Sequence, residues 1–387
     1  MKGTYNKQLV FWTACLGMLL FGIGLIMLGS VLPDLRVRHS LDAVEAGKLL
    51  SVLPIGIIGG SLLFGPVCDR YGYRVLLAVS AILMFAGFEG LAFTRTAWIL
   101  TLSVFLFGLG GGAINGATNA VVADISTNGK GAALSILGVF FGIGALGMPL
   151  LLSLLRATFE FQVIVSSTGV LALAAAVLFA VVRFPAAKQA EGISIKQVAA
   201  LFRDVTLLLI AFFLFFQSSF EGLINNWTTT YLTEKVAAPQ EAALMGLSAY
   251  VAGMTVMRLL IGSVLRKMPE RQLLYLSFGI TLAALLLFSL SHSVIPASAG
   301  LFIIGAGLAA GFPTMLGIVG NRYPDLSGTA FSFVLVIGLL GNMLVNYSMG
   351  LVAENAGIKH LTTFTFTELA VLVLIATVIF GRLKANK

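Results

Sequence analysis

Apolar residues fall in twelve long runs separated by short polar breaks. The runs lie at about 9–33, 43–64, 75–93, 97–122, 132–154, 162–182, 205–232, 240–265, 272–291, 296–320, 328–352 and 362–381. A helix needs about 20 apolar residues to cross the hydrocarbon core of a bilayer. Backbone N–H and C=O groups find no water there, so each run must be a helix or a strand of a closed barrel. Alternating strand patterns are absent. The fold class is therefore all-α membrane protein with twelve transmembrane helices.

The longest polar stretch, 184–204, carries Pro185, Lys188, Glu191, Lys196 and Arg203. It reads as a linker dividing the chain into six-helix bundles at 1–183 and 205–387. Ile195, Val198, Leu201 and Phe202 fit one side of a short interfacial helix within it. The two halves repeat at a constant spacing of 197 residues: Gly65 matches Gly262, Arg74 matches Arg271, Gly108 and Gly110 match Gly305 and Gly307, and Gly131 and Ser135 match Gly328 and Ser332. Parallel repeats of this size build two-bundle transporters, whose substrate site is expected between the repeats near the bilayer midplane.

Composition agrees. The chain is 58% hydrophobic and 10% charged, against about 25% charged in soluble domains. Its formal net charge is +8. With the N-terminus inside, 16 Lys and Arg fall on the cytoplasmic side and 7 outside, with Arg258 inside the eighth span. That asymmetry orients the chain with both termini cytoplasmic, in an inner (plasma) membrane. It also explains the basic balance without nucleic acid. Lys2 and Lys7 precede an apolar run as in a signal peptide, but the run is too long and lacks a cleavage site, so it reads as a retained first helix. Cys15 and Cys68 form no disulfide or metal pattern, and no cofactor motif occurs. The glycine run at 108–112 lacks the Lys-Ser/Thr of a nucleotide loop. No nucleophile–base arrangement supports an enzyme.

The polar groups within the spans carry the chemistry. The run at 207–232 holds Gln217, Glu221 and Asn225 at i, i+4 and i+8, along one helical stripe. A carboxylate in lipid costs about 2.5–3.5 kcal/mol or more, so the stripe should face protein or water. Burial favours the neutral carboxyl, which makes Glu221 a candidate proton carrier. The alternative is a permanently protonated packing residue. Helix rise sets Arg258 about 10 Å from Glu221 in depth, which argues against a direct pair. Glu89 and Glu368 lie near outer ends where water can reach them, and read as structural or surface groups. Asn115 with Asn119, and Asn342 with Asn346, each share a helix face. Amides both donate and accept, which suits sugar hydroxyls; buried amides also hold helices together. Trp227 suits stacking on a pyranose or anchoring at the interface.

The loop Gly65-Pro-Val-Cys-Asp69-Arg70-Tyr-Gly72-Tyr-Arg74 resembles the cytoplasmic signature G-x-x-x-D-R-x-G-R-R of the major facilitator superfamily. Tyr73 departs from the usual basic residue. The resemblance implies gating roles for Gly65, Asp69, Arg70, Gly72 and Arg74. The second copy keeps Gly262 and Arg271 but has Arg266 in place of the acid. A narrower resemblance, to the fucose–galactose–glucose:proton symporter family, rests on Glu221 to Trp227 and Tyr231 in the seventh span and on Gly311-Phe-Pro-Thr314 in the tenth. That family carries an acid in the fourth span, where this chain has Asn115 ahead of Asn119. Some members carry one in the first span, where this chain has none. The family's G-G-A-x-x-P stretch aligns with Gly341, Asn342 and Asn346.

The resemblance implies a monomeric secondary active transporter working by alternating access. It implies proton-coupled uptake of a neutral monosaccharide, for which the candidate binding residues are Asn115, Asn119, Gln217, Glu221, Asn225, Trp227, Thr314, Asn342 and Asn346; the family's usual proton site is missing, and the depth of Glu221 makes it the candidate to carry the proton. An exporter of amphipathic compounds and a sodium-coupled or uncoupled sugar carrier are the alternatives. The topology has its own test. A cysteine replacing Ala190 should react with an impermeant maleimide only after the cells are opened; labelling in intact cells would overturn the orientation.

Overall fold

The computed structural model describes residues 5–41, 43–126, 129–155, 158–187 and 201–385. Among them run α1 (Lys7–His39), α2 (Ala43–Tyr71), α3 (Tyr73–Phe93), α4 (Ala97–Ile125), α5 (Lys130–Leu155), α6 (Phe161–Val181), α7 (Val205–Lys235), α8 (Gln240–Gly262), α9 (Glu270–Leu290), α10 (Val294–Leu308), α11 (Gly311–Arg322), α12 (Ser327–Ala356) and α13 (His360–Ala385). Among the described residues twelve spans are long and apolar enough to cross a membrane; α10 and α11 share one of them, Val294–Arg322. The all-helical, twelve-span class expected from the apolar pattern is the one observed. The proposed interfacial helix lies mostly outside the described residues. Of its apolar side, Leu201 is buried and Phe202 packs on Phe333, with ring centroids 4.9 Å apart.

Local chemistry sets the helix starts. Asn6 accepts from the backbone N–H of Gln8 and Leu9, and Asp204 does the same for Thr206 and Leu207 at the head of α7. Both caps satisfy N–H groups that no helical carbonyl can reach.

The chain forms two compact units. One comprises Met1–Thr127, Leu137–Ile195 and Tyr323–Ser332; the other comprises Asn128–Ile136, Lys196–Arg322 and Phe333–Lys387. In the first, α4 packs on α1, α2 and α3, and α3 packs on α6. In the second, α10 packs on α8 and α9, and α7 packs on α8 and α13.

The repeat seen in the sequence is also a repeat of contacts. Lipid supplies no hydrophobic drive between helices, so small residues let backbones approach closely. Gly56 lies against the Phe105 carbonyl, and Gly253 against that of Phe302. Gly108 meets Leu53, and Gly305 meets Tyr250. Every member of these pairs is displaced by the same 197 residues.

A Cβ at Gly253 would collide with the Phe302 backbone, whereas one at Gly279 on α9 meets nothing. Gly253→Leu should destabilise the protein by about 1–3 kcal/mol or more, and Gly279→Ala should be neutral or stabilising by up to about 1 kcal/mol. Melting curves in detergent check both. Equal effects at the two positions would contradict the packing assignment.

Candidate functional site

α7 runs 31 residues from its Asp204 cap, and Gln217 sits near its middle. Gln217 is buried, and its Nε2 donates twice: to Glu221 Oε1 at 2.9 Å and to the Leu308 carbonyl at 3.0 Å. The i, i+4 spacing read from the sequence makes the first bond. A break in the tenth span makes the second available. α10 ends at Leu308 and α11 starts at Gly311. Pro313 has no N–H to offer and suits the first turn of a new helix. Ending α10 frees carbonyls that lipid cannot satisfy, and Gln217 takes one of them. A Cβ at Gly311 would collide with the Gln217 amide. Glycine there is what lets the side chain reach across.

Arg258 and Tyr250 of α8 complete the surroundings of Glu221. The carboxyl interacts electrostatically with Arg258, and Tyr250 interacts with both. This interaction acts through the field between the groups and needs no contact between them.

The amides of the second unit form a seam of α7 with α12. Asn342 Nδ2 donates to the Ser218 carbonyl at 3.0 Å. Asn346 Nδ2 donates to the Asn342 carbonyl at 2.8 Å and to its Oδ1 at 3.3 Å. Asn346 Oδ1 accepts from Asn226 Nδ2 at 2.9 Å and from Trp227 Nε1 at 3.1 Å. Gly222 gives the two amides room to lie against α7. The Trp227 ring also lies near Gly350, along α12. Asn225 is exposed and donates to the Glu221 carbonyl within its own helix. Thr314 is buried near Gly131 of α5. In the first unit, Asn119 Nδ2 donates to the Asn115 carbonyl at 2.8 Å and to its Oδ1 at 3.1 Å. Each amide pair lies on one face, as the spacing requires.

The signature loop builds a cap. Asp69 is buried; its carboxylate accepts from Gly328 N at 3.2 Å, Thr329 N at 2.8 Å and Thr329 Oγ1 at 2.7 Å. It thereby satisfies the first N–H groups of α12 and places negative charge at the positive end of the helix dipole. Gly65 faces the Gly328 carbonyl and Ser332, where a side chain would collide. Gly72 has φ +82°, a conformation that favours glycine. Arg70 and Arg74 point elsewhere: Arg70 over the Tyr71 ring, Arg74 to the Ala180 carbonyl at 2.5 Å. The second copy repeats the packing without the acid, with Gly262 against Ala132 and Ile136 of α5.

Two functional candidates escaped the sequence reading. Asp124 accepts from the Tyr73 hydroxyl at 2.5 Å and from Ser327 Oγ at 3.0 Å. Tyr73, the departure from the signature, is thus a donor to a carboxylate; the signal was an acid at the end of the fourth span. The second is Glu368. It was expected near water but is buried, 4% exposed, and its Oε1 accepts from Ser219 Oγ of α7. Distance from a helix end does not expose a side chain whose face is packed, and α7 and α9 both pack on α13. Glu89, by contrast, is partly exposed and accepts from Ser166 Oγ with both oxygens at 3.0 Å.

Asp69→Asn replaces one acceptor oxygen by an NH2 facing backbone N–H groups. The contact should weaken by about 1–3 kcal/mol. Native Cys68 is 2% exposed beside it. Its modification by a thiol reagent should quicken about fivefold or more in the mutant; an unchanged rate would show that Asp69 does not hold α2 to α12.

The sequence profile of the Major Facilitator Superfamily matches residues 14–346, with a further match over 231–384. The glucose/mannose transporter GlcP of Bacillus subtilis is 22% identical over 401 aligned residues, covering 100% of this chain and 96% of that protein. The D-xylose transporter of Levilactobacillus brevis is 30% identical over 128 residues, 33% of this chain and 28% of that one. Among solved structures, the transporter FucP in the outward conformation matches with a TM-score of 0.81 at 17% identity, covering 95% of this chain and 98% of its own. The proton:xylose symporter XylE matches with a TM-score of 0.77 at 16% identity, covering 97% and 95%. A profile that matches most of the length, on a twelve-span helical chain, places this protein in the Major Facilitator Superfamily.

Proposed function

We propose that the chain is a secondary active transporter that takes up a neutral monosaccharide with a proton, by alternating access. The observation that carries this reading is the pair of hydrogen bonds that Gln217 donates, to Glu221 and to the broken tenth span. Two relatives named for glucose/mannose and D-xylose transport, and a structural neighbour named as a proton:xylose symporter, support sugar and proton respectively.

Coupling follows from the chemistry of the Gln217 amide. An ionised Glu221 accepts a charge-assisted bond from it, about twice as strong as a neutral one. Protonation weakens that bond and removes a charge that is expensive to desolvate. The amide is then free to turn to a sugar hydroxyl, and its hold on the Leu308 carbonyl changes with it. Asn225, Trp227, Asn342 and Asn346, with Asn115, Asn119 and Thr314, supply further donors, acceptors and an aromatic face. Gly65, Asp69, Arg70, Gly72 and Arg74 form the cytoplasmic gate, with Asp69 as its fastening and the two arginines at its edge.

In this reading residues 1–183 and 205–387 are six-helix bundles joined by a cytoplasmic linker at 184–204. The protein works as a monomer in the inner (plasma) membrane with both termini inside. The buried Arg258, which interacts electrostatically with Glu221, favours one second reading, in which the substrate is a small organic anion.

Glu221→Gln tests the proposal in proteoliposomes. An inward gradient of one pH unit drives about tenfold accumulation in a one-to-one symporter. The mutant should lose that accumulation yet still exchange sugar across the membrane. Wild-type accumulation by the mutant would remove the proton from Glu221. Transport of carboxylates and of no monosaccharide by the wild type would establish the anion reading instead.

A further inference from the structure

Glu368 is unusual for a group outside the proposed sugar site. It is a carboxyl in the interior of a span, 4% exposed, held against a helix that carries the site. An ionisable residue inside a membrane span is a functional candidate by default.

The hydrogen bonds of Ser219 determine what form the carboxyl takes. Ser219 is fully buried. Its Oγ lies 3.0 Å from the Phe216 carbonyl and in very close contact with Glu368 Oε1. A hydroxyl has one proton to donate. Phe216 and an ionised Glu368 would both require it. If the carboxyl carries its own proton, both bonds are made: Ser219 donates to the Phe216 carbonyl, and the carboxyl O–H donates to Ser219 Oγ. The second oxygen, Oε2, is buried with no protein hydrogen bond. Left as a neutral carbonyl oxygen it is far cheaper to bury than half of a carboxylate.

Among the described residues of the helices packed around Glu368, no countercharge stands in for the proton. The helices packed on α13 are α7 and α9. On α7, Glu221 is engaged with Gln217, and Tyr231 accepts from Lys235 at 2.6 Å; Glu234 lies one residue before Lys235, 15 residues beyond Ser219. On α9, Glu270 and Arg271 begin the helix, and Tyr275 bonds Thr377 of α13 at 2.8 Å. Thr377 is nine residues beyond Glu368, about 13 Å along the helix. On α13 itself, His360 sits at the first residue and Arg382 and Lys384 in the last turn.

Ser219 also lies within the five residues of α7 that run from Gln217 to Glu221. A single turn of helix therefore ties both carboxyls together, on different faces. Any rotation or shift of α7 that follows from binding at Gln217 and Glu221 must pull Ser219 with it.

We propose that Glu368 is a second proton-binding carboxyl of the transport cycle, loaded in this conformation through its bond to Ser219 and emptied when α7 moves and water reaches it. The proposal rests on the proton-coupled reading given above. Hydronium in outer water gives up a proton as the Glu368 O–H bond forms, and that bond breaks when the proton passes to water on the cytoplasmic side. α7 thus has two titratable partners, its own Glu221, bonded to Gln217, and Glu368 of α13, bonded to Ser219.

Two measurements on purified protein test it. The first is the infrared difference spectrum as pH is raised. The wild type should lose a protonated-carboxyl carbonyl band that is missing in Glu368→Gln and moved to a different pH in Ser219→Ala. The second uses proteoliposomes with D-glucose and D-xylose as probes. Glu368→Gln should keep sugar exchange at equal pH but lose about tenfold of the accumulation driven by a gradient of one pH unit. Ser219→Ala, which leaves the carboxyl in place, should shift the pH dependence of that accumulation. Wild-type accumulation by Glu368→Gln, or the lack of a Glu368-dependent band in the wild type, overturns the proposal. If the wild type moves neither sugar with a proton, it is the transport reading that fails; the infrared band still decides by itself whether Glu368 binds a proton.

Discussion

A membrane-embedded helix that stops and restarts must find partners for the backbone groups it frees, and here Gln217 supplies one. Its amide bonds the Leu308 carbonyl at the end of α10 and Glu221 on its own helix. Lipid offers no alternative acceptor or donor. The break in the tenth span, the glycine at 311 and the carboxyl at 221 therefore form one arrangement. Removing any of them leaves a polar group stranded in a medium that penalises it.

The same constraint organises the rest of α7. Ser218, Asn226 and Trp227 meet the amides of α12, and Ser219 meets Glu368 of α13. Each face of the helix carries polar groups, and each has a helix to receive them. In the first unit Asp69 does for the start of α12 what Gln217 does for the end of α10. In both cases a side chain replaces a missing turn of helix. Such bonds can be exchanged as a unit, because breaking one without a substitute is expensive. That is a physical basis for two discrete arrangements with little between them.

Much of this was legible in the sequence. Apolar length alone gave the twelve spans, since nothing but a helix satisfies the backbone there. The repeat of 197 residues reappeared as matched glycine contacts, because close helix approach in lipid depends on small residues. The i, i+4 spacing put Gln217 on Glu221 and Asn115 on Asn119. What the sequence hid was lateral direction. Counting residues from a helix end misjudged Glu368, whose face is packed. Gly311-Phe-Pro-Thr314 was read as a family motif and not as a break in the helix. Tyr73 looked like a lost charge, yet it donates to Asp124, a partner 51 residues away that no local pattern announces.

In the proposed function one carboxyl, Glu221, links proton and sugar in a single binding event. The most direct measurement is proton movement driven by sugar alone, in wild-type proteoliposomes with no imposed pH gradient and a pH-sensitive dye inside. Addition of a transported monosaccharide outside should acidify the lumen, in the absence of sodium and in proportion to the sugar that enters. Sugar entry without acidification, or entry that requires sodium, would contradict the account.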